Sequence, residues 1–336
     1  MKINTTSLGA CAAVALILVP ILGAQSYTAT DLGVLPGGIY GIAQALNDQA
    51  AVVGYCVLSN DTERAFIWTS AAGMRNLGTL SGDTDSYAQA INNSGQVAGV
   101  SYSAVSSVLH AFLWTLAGGM QDLGTLGGSS SFAYGINDYG EVVGASDLPG
   151  DSTFHAFLWT PSAGMQDLGT LGGPDSTAVA INKYGEIVGW SYLPDNRSIA
   201  FLWTRSGGMH SLGTLGGTTS TAYALNSSGQ IFGWANTASN TQEAFSWTPS
   251  HGMRSLGAGS NSVALGVNTS DEVVGYDSEF AFLWTPALHE QYLNYLLPPN
   301  SGWDLSEATA INQSGQIAAN GIISQENRAA LLTPAN

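Results

Sequence analysis

The sequence predicts an all-β fold made of seven copies of one four-stranded unit. The prediction follows from a phrase that recurs seven times, from tryptophans at the same spacing, and from a composition suited to strands and turns. The chain of 336 residues has 42 glycines, 45% hydrophobic residues and only 10% charged residues. Ordinary domains are about 25% charged, and disordered chains lack this much apolar content. The composition therefore excludes a disordered chain.

Each copy contains an asparagine in the phrase Ala-x-Ala/Gly-Ile/Leu/Val-Asn-x-x-Gly. The asparagines lie 42 to 45 residues apart, at Asn47, Asn92, Asn137, Asn182, Asn226, Asn268 and Asn312. A second phrase, Ala-Phe-Leu-Trp-Thr, supplies Trp68, Trp114, Trp159, Trp203, Trp247 and Trp284, and it decays over residues 329–334 in the seventh copy. A fixed period of this length is typical of a repeat architecture.

Four strands are predicted in each unit. Ala88 and Ala90 alternate with larger residues, which indicates a first strand with one small face. The Asn-x-x-Gly phrase predicts a hairpin built on a type I turn, and a Gln/Glu-Val-Val-Gly strand follows it. The third strand presents Phe and Trp on one face, and the fourth ends at Asp-Leu-Gly before a Gly-rich link.

A four-stranded unit of about 44 residues repeated seven times is typical of a seven-bladed β-propeller. Tyr27 to Gly33 matches a fourth strand without its other three, and Ala329 to Thr333 matches a third strand without its fourth. Joined, these two segments complete one blade and leave no open edge. The alternative is a β-solenoid, which would need capping repeats at its ends. We expect the closed ring.

Three places depart from the repeat. Ala50 and Asp271 replace the glycine of the first turn, so we expect these two turns to be distorted or to use another geometry. Residues 288–305 replace the usual fourth-strand phrase of the sixth unit, and we interpret them as an irregular, structural connection beside the closure.

The amino terminus predicts a secretory signal peptide over residues 1–26. Lys2 precedes an apolar run from Cys11 to Leu22, and cleavage after Ala24 or Ser26 fits the small-residue rule, with Ser26 preferred. We therefore expect one propeller domain over residues 27–336, secreted or periplasmic. It would keep Cys56 alone and form no intramolecular disulfide. No later stretch approaches the 18 apolar residues of a membrane span.

The tandem phrase His-Ala-Phe-Leu-Trp-Thr occurs at residues 110–115 and 155–160, followed by Gly-x-Met-x-Asp-Leu-Gly-Thr-Leu-Gly-Gly. Together with the Leu-Pro-Pro-Asn-Ser-Gly-Trp segment at 297–303, these phrases make the chain resemble the HAF family of bacterial repeat proteins, which are taken to be extracellular. The resemblance covers nearly the whole chain after residue 26. It implies an exported repeat protein and supplies no catalytic residues.

Catalytic motifs are absent from the sequence. The five histidines are scattered, and neither a His-Glu-x-x-His nor a Gly-x-Ser-x-Gly phrase occurs. We therefore predict a protein that is not an enzyme. A formal net charge of −16 argues against nucleic acid as a partner, because the phosphate backbone demands basic residues.

On a rigid repeat scaffold, the loops that vary between copies are the usual place for function. The links between units and the loops between the second and third strands share one face. There, the position after the second-strand glycine is aromatic in four units. These aromatics are the candidate ligand-binding residues Tyr55, Trp190, Trp234 and Tyr276. They could form a stacking platform for a sugar or a peptide, or they could cover the blade edges.

Carboxylates are frequent in the same loops. The candidate acidic contacts are Asp83, Asp85, Asp147, Asp151 and Asp195. Asp83 with Asp85, and Asp147 with Asp151, are the best pairs for Ca²⁺ or for a glycosidase acid and base. Their spacing matches no calcium loop, so we assign no metal and no cofactor.

These observations predict an exported, monomeric binding scaffold whose unknown extracellular ligand is a glycan, a peptide or a protein. Two alternatives stay open. The first is a carbohydrate-active propeller enzyme with carboxylates near the central channel, and the second is a structural component of the cell wall or matrix. The fold alone cannot choose among them.

Overall fold

A computed structural model describes residues 25–103, 105 and 107–335. It is a seven-bladed β-propeller in which every blade is a four-stranded antiparallel sheet. The predicted signal peptide, including Cys11, falls almost entirely outside the described residues and stays a prediction. The only helix among the described residues is one turn.

Blades 1 to 4 follow one another along the chain, with their strands in sequence order from the axis outwards. Blade 1 comprises β2 (Gly38–Leu46), β3 (Val52–Leu58), β4 (Glu63–Thr69) and β5 (Gly73–Gly78). Blade 2 comprises β6 (Asp85–Ile91), β7 (Val97–Tyr102), β8 (Leu109–Thr115) and β9 (Gly119–Asp122). Blade 3 comprises β10 (Ser131–Ile136), β11 (Val142–Asp147), β12 (Phe154–Thr160) and β13 (Gly164–Asp167). Blade 4 comprises β14 (Ser176–Ile181), β15 (Ile187–Tyr192), β16 (Ser198–Thr204) and β17 (Gly208–Gly213).

The last three blades include the closure of the ring. Blade 5 comprises β18 (Gly216–Leu225), β19 (Ile231–Thr237), β20 (Gln242–Thr248) and β21 (Gly252–Ser255). Blade 6 comprises β22 (Val263–Val267), β23 (Val273–Tyr276), β24 (Ala281–Thr285) and β25 (His289–Tyr292), followed by α1 (Leu293–Leu296). Blade 7 comprises β26 (Trp303–Ile311), β27 (Ile317–Ile323), β28 (Glu326–Pro334) and β1 (Tyr27–Asp31).

The two ends of the chain form one blade, as the phase offset of the repeats predicts. Strand β1 pairs antiparallel with β28, from Tyr27 opposite Pro334 to Asp31 opposite Ala330. Blade 7 also contacts blade 1 directly, since the Asn320 side chain accepts a hydrogen bond from the Ala43 N–H and donates one to the Ala43 carbonyl. The ring is closed, and the β-solenoid alternative is wrong.

The repeated Phe and Trp fill the wedges between blades. The six repeated Phe side chains are fully buried, and Trp203 is 7% exposed. Phe201 and Trp203 of blade 4 pack with Val143 and Leu158 of blade 3 in one cluster. Burying a ring of this size contributes on the order of 2–3 kcal/mol, so the six aromatic wedges are a principal source of stability.

The wedge between blades 6 and 7 is built differently. The seventh repeat has Ala330 and Leu332 where the other copies have Phe and Trp. Leu293 and Leu296 of α1 enter the core there and pack with these residues and with Tyr27. The irregular segment over residues 288–305 is thus structural, as predicted, because it replaces the missing aromatic pair.

The repeated asparagine has a second role that its turn position does not reveal. Its Oδ1 accepts backbone N–H groups within the turn, such as those of Gln49 and Ala51 for Asn47. Its Nδ2 donates to the asparagine carbonyl of the next blade in six of the seven copies, and that of Asn226 donates to Asp271 Oδ1 instead. These bonds connect all seven blades around the axis.

The expectation that the Ala50 and Asp271 turns are distorted is wrong. Both residues adopt the left-handed conformation of the turn glycines, with φ of 60°. The Ala50 N–H donates to the Asn47 carbonyl at 3.1 Å, as in the other turns. The asparagine side chain and the flanking strands hold the turn, so the local cost of a side chain at positive φ is tolerated.

The glycine at the equivalent turn position of blade 2, Gly95, provides a test of that cost. Gly95 has φ of 75°, and a Cβ there would meet nothing within 4 Å. We expect Gly95→Ala to lower the free energy of unfolding by about 1–2 kcal/mol, because only the backbone conformation opposes it. Denaturant unfolding measures this, with Ser94→Ala in the same exposed turn as a control that changes stability by less than about 0.5 kcal/mol. Equal stabilities of the two variants would contradict the expectation.

Candidate ligand-binding face

The antiparallel topology places the links between blades and the second-to-third loops on one face, as the sequence predicts. We call it the loop face. Its links include residues 79–84, 123–130 and 168–175, and its loops include residues 59–62, 148–153 and 193–197. The Asn-x-x-Gly turns lie on the opposite side, which we call the turn face.

The four predicted aromatics lie within the second strands of their blades, near the loop face, rather than in the loops themselves. Tyr55, Trp190, Trp234 and Tyr276 are all partly exposed. Each is paired across the sheet with a first-strand residue, as Trp190 is with Thr177. The strands fix the aromatic backbones because the preceding glycine allows close approach: a Cβ on Gly189 would lie 1.9 Å from the Thr177 carbonyl oxygen.

Three tyrosines and a glutamate form one cluster between blades 1 and 2, which we call the tyrosine cluster. The Tyr55 ring meets the Tyr87 ring edge to face at 4.6 Å, and Tyr87 stacks with Tyr102 at 5.7 Å. Both Tyr87 and Tyr102 donate hydroxyl hydrogen bonds to Glu63 Oε2, the latter at 2.8 Å. Burial and the Glu63 carboxylate raise the pKa of both phenols, so they remain hydrogen-bond donors at neutral pH.

A second aromatic group, the tryptophan cluster, lies at blades 3 and 4. The Trp190 ring meets Phe154 at 5.9 Å and Tyr192 at 5.5 Å, both nearly perpendicular. Phe154 belongs to the neighbouring blade, so the indole is fixed by contacts from two blades. A preorganised aromatic ring loses little conformational entropy when a ligand binds.

A central channel lies within the ring of first strands. The first strands line a cavity of about 440 Å³, whose walls include Gln44, Tyr134, Tyr223 and Glu307. Burial raises the pKa of the Glu307 carboxyl, and the Asn320 amide, at 3.3 Å, opposes that shift. Burial is the main cause of the raised pKa of Tyr55 and of Tyr276, and the Glu307 charge adds to it. Trp190 belongs to the separate tryptophan cluster.

One of the candidate carboxylates, Asp85, connects blade 2 to blade 1. Asp85 is 4% exposed, and its Oδ1 accepts the Glu63 N–H at 2.7 Å. Asp83 lies in the adjacent link, where its N–H donates to the Leu80 carbonyl. The Asp85 carboxylate therefore already has a partner within the fold. Asp83 and Asp85 contribute more to loop structure than to an open site.

The other three acidic candidates are bonded to neighbouring residues of the loop face. Asp151 accepts hydrogen bonds from the Ser129 N–H and hydroxyl at 2.7 and 2.5 Å, and these bonds lower its pKa. Asp195 pairs with Arg197 at 2.8 Å, which lowers its pKa. Burial raises the pKa of Asp147, which accepts the Ser130 N–H. Within the described part of the chain, no three His, Cys, Asp or Glu side chains are grouped so that they could hold a metal ion.

Several residues that complete these clusters were not predicted from the sequence. Tyr87, Tyr102, Phe154 and Tyr192 come from other strands than the predicted aromatics. The signal that could have identified Tyr87 is its first-strand position, which is occupied by Phe132 in the next repeat. The histidine of the His-Ala-Phe-Leu-Trp-Thr phrase has a structural role, because His110 and His155 pair across strands with Asp122 and Asp167 at 3.0 and 2.9 Å.

Comparison with known proteins supports the propeller fold but does not place the chain in a family. No protein-family model and no curated protein matches the sequence. Among solved structures, a streptogramin B lyase aligns over 92% of this chain and 98% of its own, with TM-score 0.54 and 10% identity. The propeller domain of the Trilobed protease from Pyrococcus furiosus aligns over 88% and 96%, with TM-score 0.54 and 8% identity. TolB from Acinetobacter baumannii aligns over 85% of this chain, which spans 64% of TolB, with TM-score 0.49 and 12% identity.

These identities show a shared fold alone. The similar structures bear different names, among them a lyase and the propeller domain of a protease, so the function has to be argued from this chain's own surface. In the described residues, no helix has the length and apolar character needed to cross a membrane.

Proposed function

We propose that the protein is an exported, monomeric binding protein without catalytic activity, and that it takes a glycan on its loop face. The observation that carries the proposal is the tryptophan cluster, in which a partly exposed indole is fixed by rings from two blades. Sugar rings stack on such surfaces through their apolar C–H faces, and contacts of this kind contribute about 0.5–1.5 kcal/mol each.

The negative charge of the protein limits the kinds of glycan that the loop face can bind. The chain has 24 acidic and 8 basic residues, and the loop face carries carboxylates such as Glu63, Asp151 and Asp195. An anionic polysaccharide would meet like charge on this face. We therefore propose neutral sugars or amino sugars, which can donate hydrogen bonds to these carboxylates.

The test is a glycan and cell-wall-fragment array with the purified chain, followed by titration of the best ligand. We expect neutral or amino-sugar glycans to bind and Trp190→Ala to weaken binding by about tenfold, the equivalent of 1.4 kcal/mol. Trp190→Phe should retain most of the affinity, because it keeps a ring at this position. Trp234→Ala should have a smaller effect, since no ring fixes Trp234 in the described structure.

The matched control is Tyr184→Ala, which removes an aromatic ring that is 65% exposed on the turn face. It should leave binding unchanged. Equal losses in Trp190→Ala and Tyr184→Ala, or an array on which only peptides or only anionic glycans bind, would contradict the proposal.

The carbohydrate-active enzyme remains a second candidate because the Glu307 carboxyl lines the central cavity, where burial raises its pKa. A glycosidase needs one carboxyl with a raised pKa and one ionised partner. Glu63, however, holds two tyrosine hydroxyls. Release of reducing sugar from a bound glycan, lost in Glu307→Gln, would support the enzyme over the binding protein.

A further inference from the structure

Every first strand of the propeller carries a β-bulge at the same place. The pairing register shifts at the residue three positions before the repeated asparagine, as it does between Ala43 and Ala45 in blade 1. A bulge takes its extra residue out of the ladder and re-aims the side chain. All seven bulge residues line the central cavity of about 440 Å³. We call them the channel ring, which consists of Gln44, Gln89, Tyr134, Val179, Tyr223, Leu265 and Thr309.

The channel ring varies from blade to blade, although its immediate neighbours do not. The residues on either side of it are alanine or glycine in all seven copies. Blades 3 to 5 contribute Tyr134, Val179 and Tyr223, whereas blades 7, 1 and 2 contribute the three members that are polar and not aromatic. An aromatic wall therefore faces a polar wall across the channel. Variable side chains on a uniform frame are typical of a specific binding site.

Four polar side chains of the channel ring have no hydrogen-bond partner among the described residues. They are the carboxamides of Gln44 and Gln89 and the hydroxyls of Tyr134 and Tyr223. All four side chains are partly exposed, so they are available to a ligand as donors and acceptors. An apolar ligand would cover them without replacing the hydrogen bonds that they make to water. A ligand with several hydroxyl groups therefore suits this cavity.

A single carboxylate determines the charge of the cavity. Glu307 is the only acidic or basic residue that lines it in the described part of the chain. One of its oxygens, Oε2, accepts a hydrogen bond from the Asn320 amide at 3.3 Å. A carboxylate can accept about four hydrogen bonds, so most of its capacity remains for a ligand. A cationic group would be attracted to this cavity, and an anionic group would be repelled.

Trp190 of the tryptophan cluster lies at the same height along the channel axis as Glu307. Thr177 and Glu307 both lie five residues before the repeated asparagine of their blade, and Trp190 is paired with Thr177 across the sheet. Blades 4 and 7 lie on opposite sides of the ring. A glycan that stacks on Trp190 can therefore place its next sugar unit in the channel, with Glu307 on the far wall.

We propose that the central channel binds one sugar unit of the glycan and selects an amino sugar with a free amine. The hydroxyls of this unit bond to Gln44 and Gln89, its apolar face lies against the tyrosine rings, and its ammonium group pairs with Glu307. The inference rests on the proposed glycan-binding function. It narrows the ligand from neutral sugars or amino sugars to glycans that contain a cationic amino sugar.

The experiment is calorimetric titration of the purified chain at pH 6, where sugar amines carry their proton. The ligands are the β-1,4-linked trimers of glucosamine, glucose and N-acetylglucosamine, which differ only at C2 in an ammonium, a hydroxyl and an acetamido group. We expect the glucosamine trimer to bind at least tenfold more tightly than the other two. Glu307→Gln should lower its affinity about tenfold and leave that of the glucose trimer unchanged. Glu279→Gln, in an exposed loop of blade 6, is the matched control and should change neither affinity.

A second variant tests whether the sugar enters the channel. Val179→Trp places a large ring among the channel residues, so the sugar unit can no longer enter. We expect the glucosamine and glucose trimers then to bind with the same affinity, while thermal unfolding shows that the propeller is intact. A preference for the glucosamine trimer that persists in this folded variant would place the amine outside the channel and overturn the proposal.

The remaining outcomes separate this inference from the proposed function. Equal binding of the glucosamine and glucose trimers, or a preference that Glu307→Gln does not change, would overturn the channel site. The loop-face function would still stand if Trp190→Ala weakened both ligands. Binding that depends on Glu307 and not on Trp190 would remove the loop-face function and keep the channel site. No binding of any of the three trimers would overturn the channel site, and the glycan array would then decide the loop-face function alone.

Discussion

A chain that lacks residues 25–32 is expected to lose the closed ring and to aggregate. These residues form β1, the fourth strand of blade 7, and they bury Tyr27 and Leu32 to 1% and 4% exposure. Burying side chains of this size contributes about 2–3 kcal/mol each, and the backbone pairing with β28 is lost as well. The total is comparable with the whole stability of a domain, about 5–15 kcal/mol. Removing residues 25–32 also leaves β28 as an open edge.

The measurement compares two chains, one beginning at Gln25 and one at Gly33, by sedimentation and thermal unfolding. We expect only the longer chain to be a soluble monomer with a cooperative transition. The rescue is a circular permutation that places residues 25–32 after Ala335 through a short turn, because Tyr27 lies opposite Pro334. That chain should regain the fold. A soluble, cooperative chain that begins at Gly33 would show that the closure contributes little.

The sequence was sufficient for the architecture because each element is encoded locally and then repeated. The alternating Ala88 and Ala90 indicate a strand, the Asn-x-x-Gly phrase indicates a turn, and seven copies determine the number of blades. Even the closure could be predicted, since the first and last segments are complementary parts of one unit. The boundaries of the second and third strands also agree with the phrases that predicted them.

The contacts between blades could not be predicted in the same way. The Asn137 amide donates to the Asn182 carbonyl, 45 residues further on, but its turn role alone already explains an asparagine there. The tyrosine cluster requires a second-strand residue of one blade to meet a first-strand residue of the next, as Tyr55 meets Tyr87. The pattern of a single repeat does not contain that pairing.

At the Ala50 turn, the local rule that this position requires glycine led to a wrong prediction. A missing glycine predicted a changed turn, yet Ala50 adopts φ of 60° with the usual hydrogen bonds. Its side chain packs against the cluster between blades 1 and 7. Tertiary contacts thus offset a local strain of about 1–2 kcal/mol, which sequence rules for isolated turns cannot take into account.

Phe201→Ala is expected to lower the free energy of unfolding by about 3–5 kcal/mol, because it leaves a cavity in the wedge between blades 3 and 4. Phe201 is fully buried there beside Leu158 and Ile187. For a domain of this size the loss corresponds to about 5–8 °C in Tm. Thermal unfolding measures it, with Tyr184→Ala as the exposed aromatic control, which should change Tm by less than about 1 °C.

The wedge between blades 6 and 7 provides a comparison for the Phe201→Ala prediction. Its Phe position is Ala330, so the native protein already carries there the change that Phe201→Ala introduces elsewhere, and Leu293 of α1 fills the space. Leu293→Ala should therefore cost about 2–5 kcal/mol, like the loss of a wedge residue. The two substitutions lie in separate clusters, and their costs should add within about 0.5 kcal/mol. A larger coupling would show that a void at one interface changes the packing of the whole ring, and a negligible cost at Leu293 would show that the insertion does not replace the missing rings.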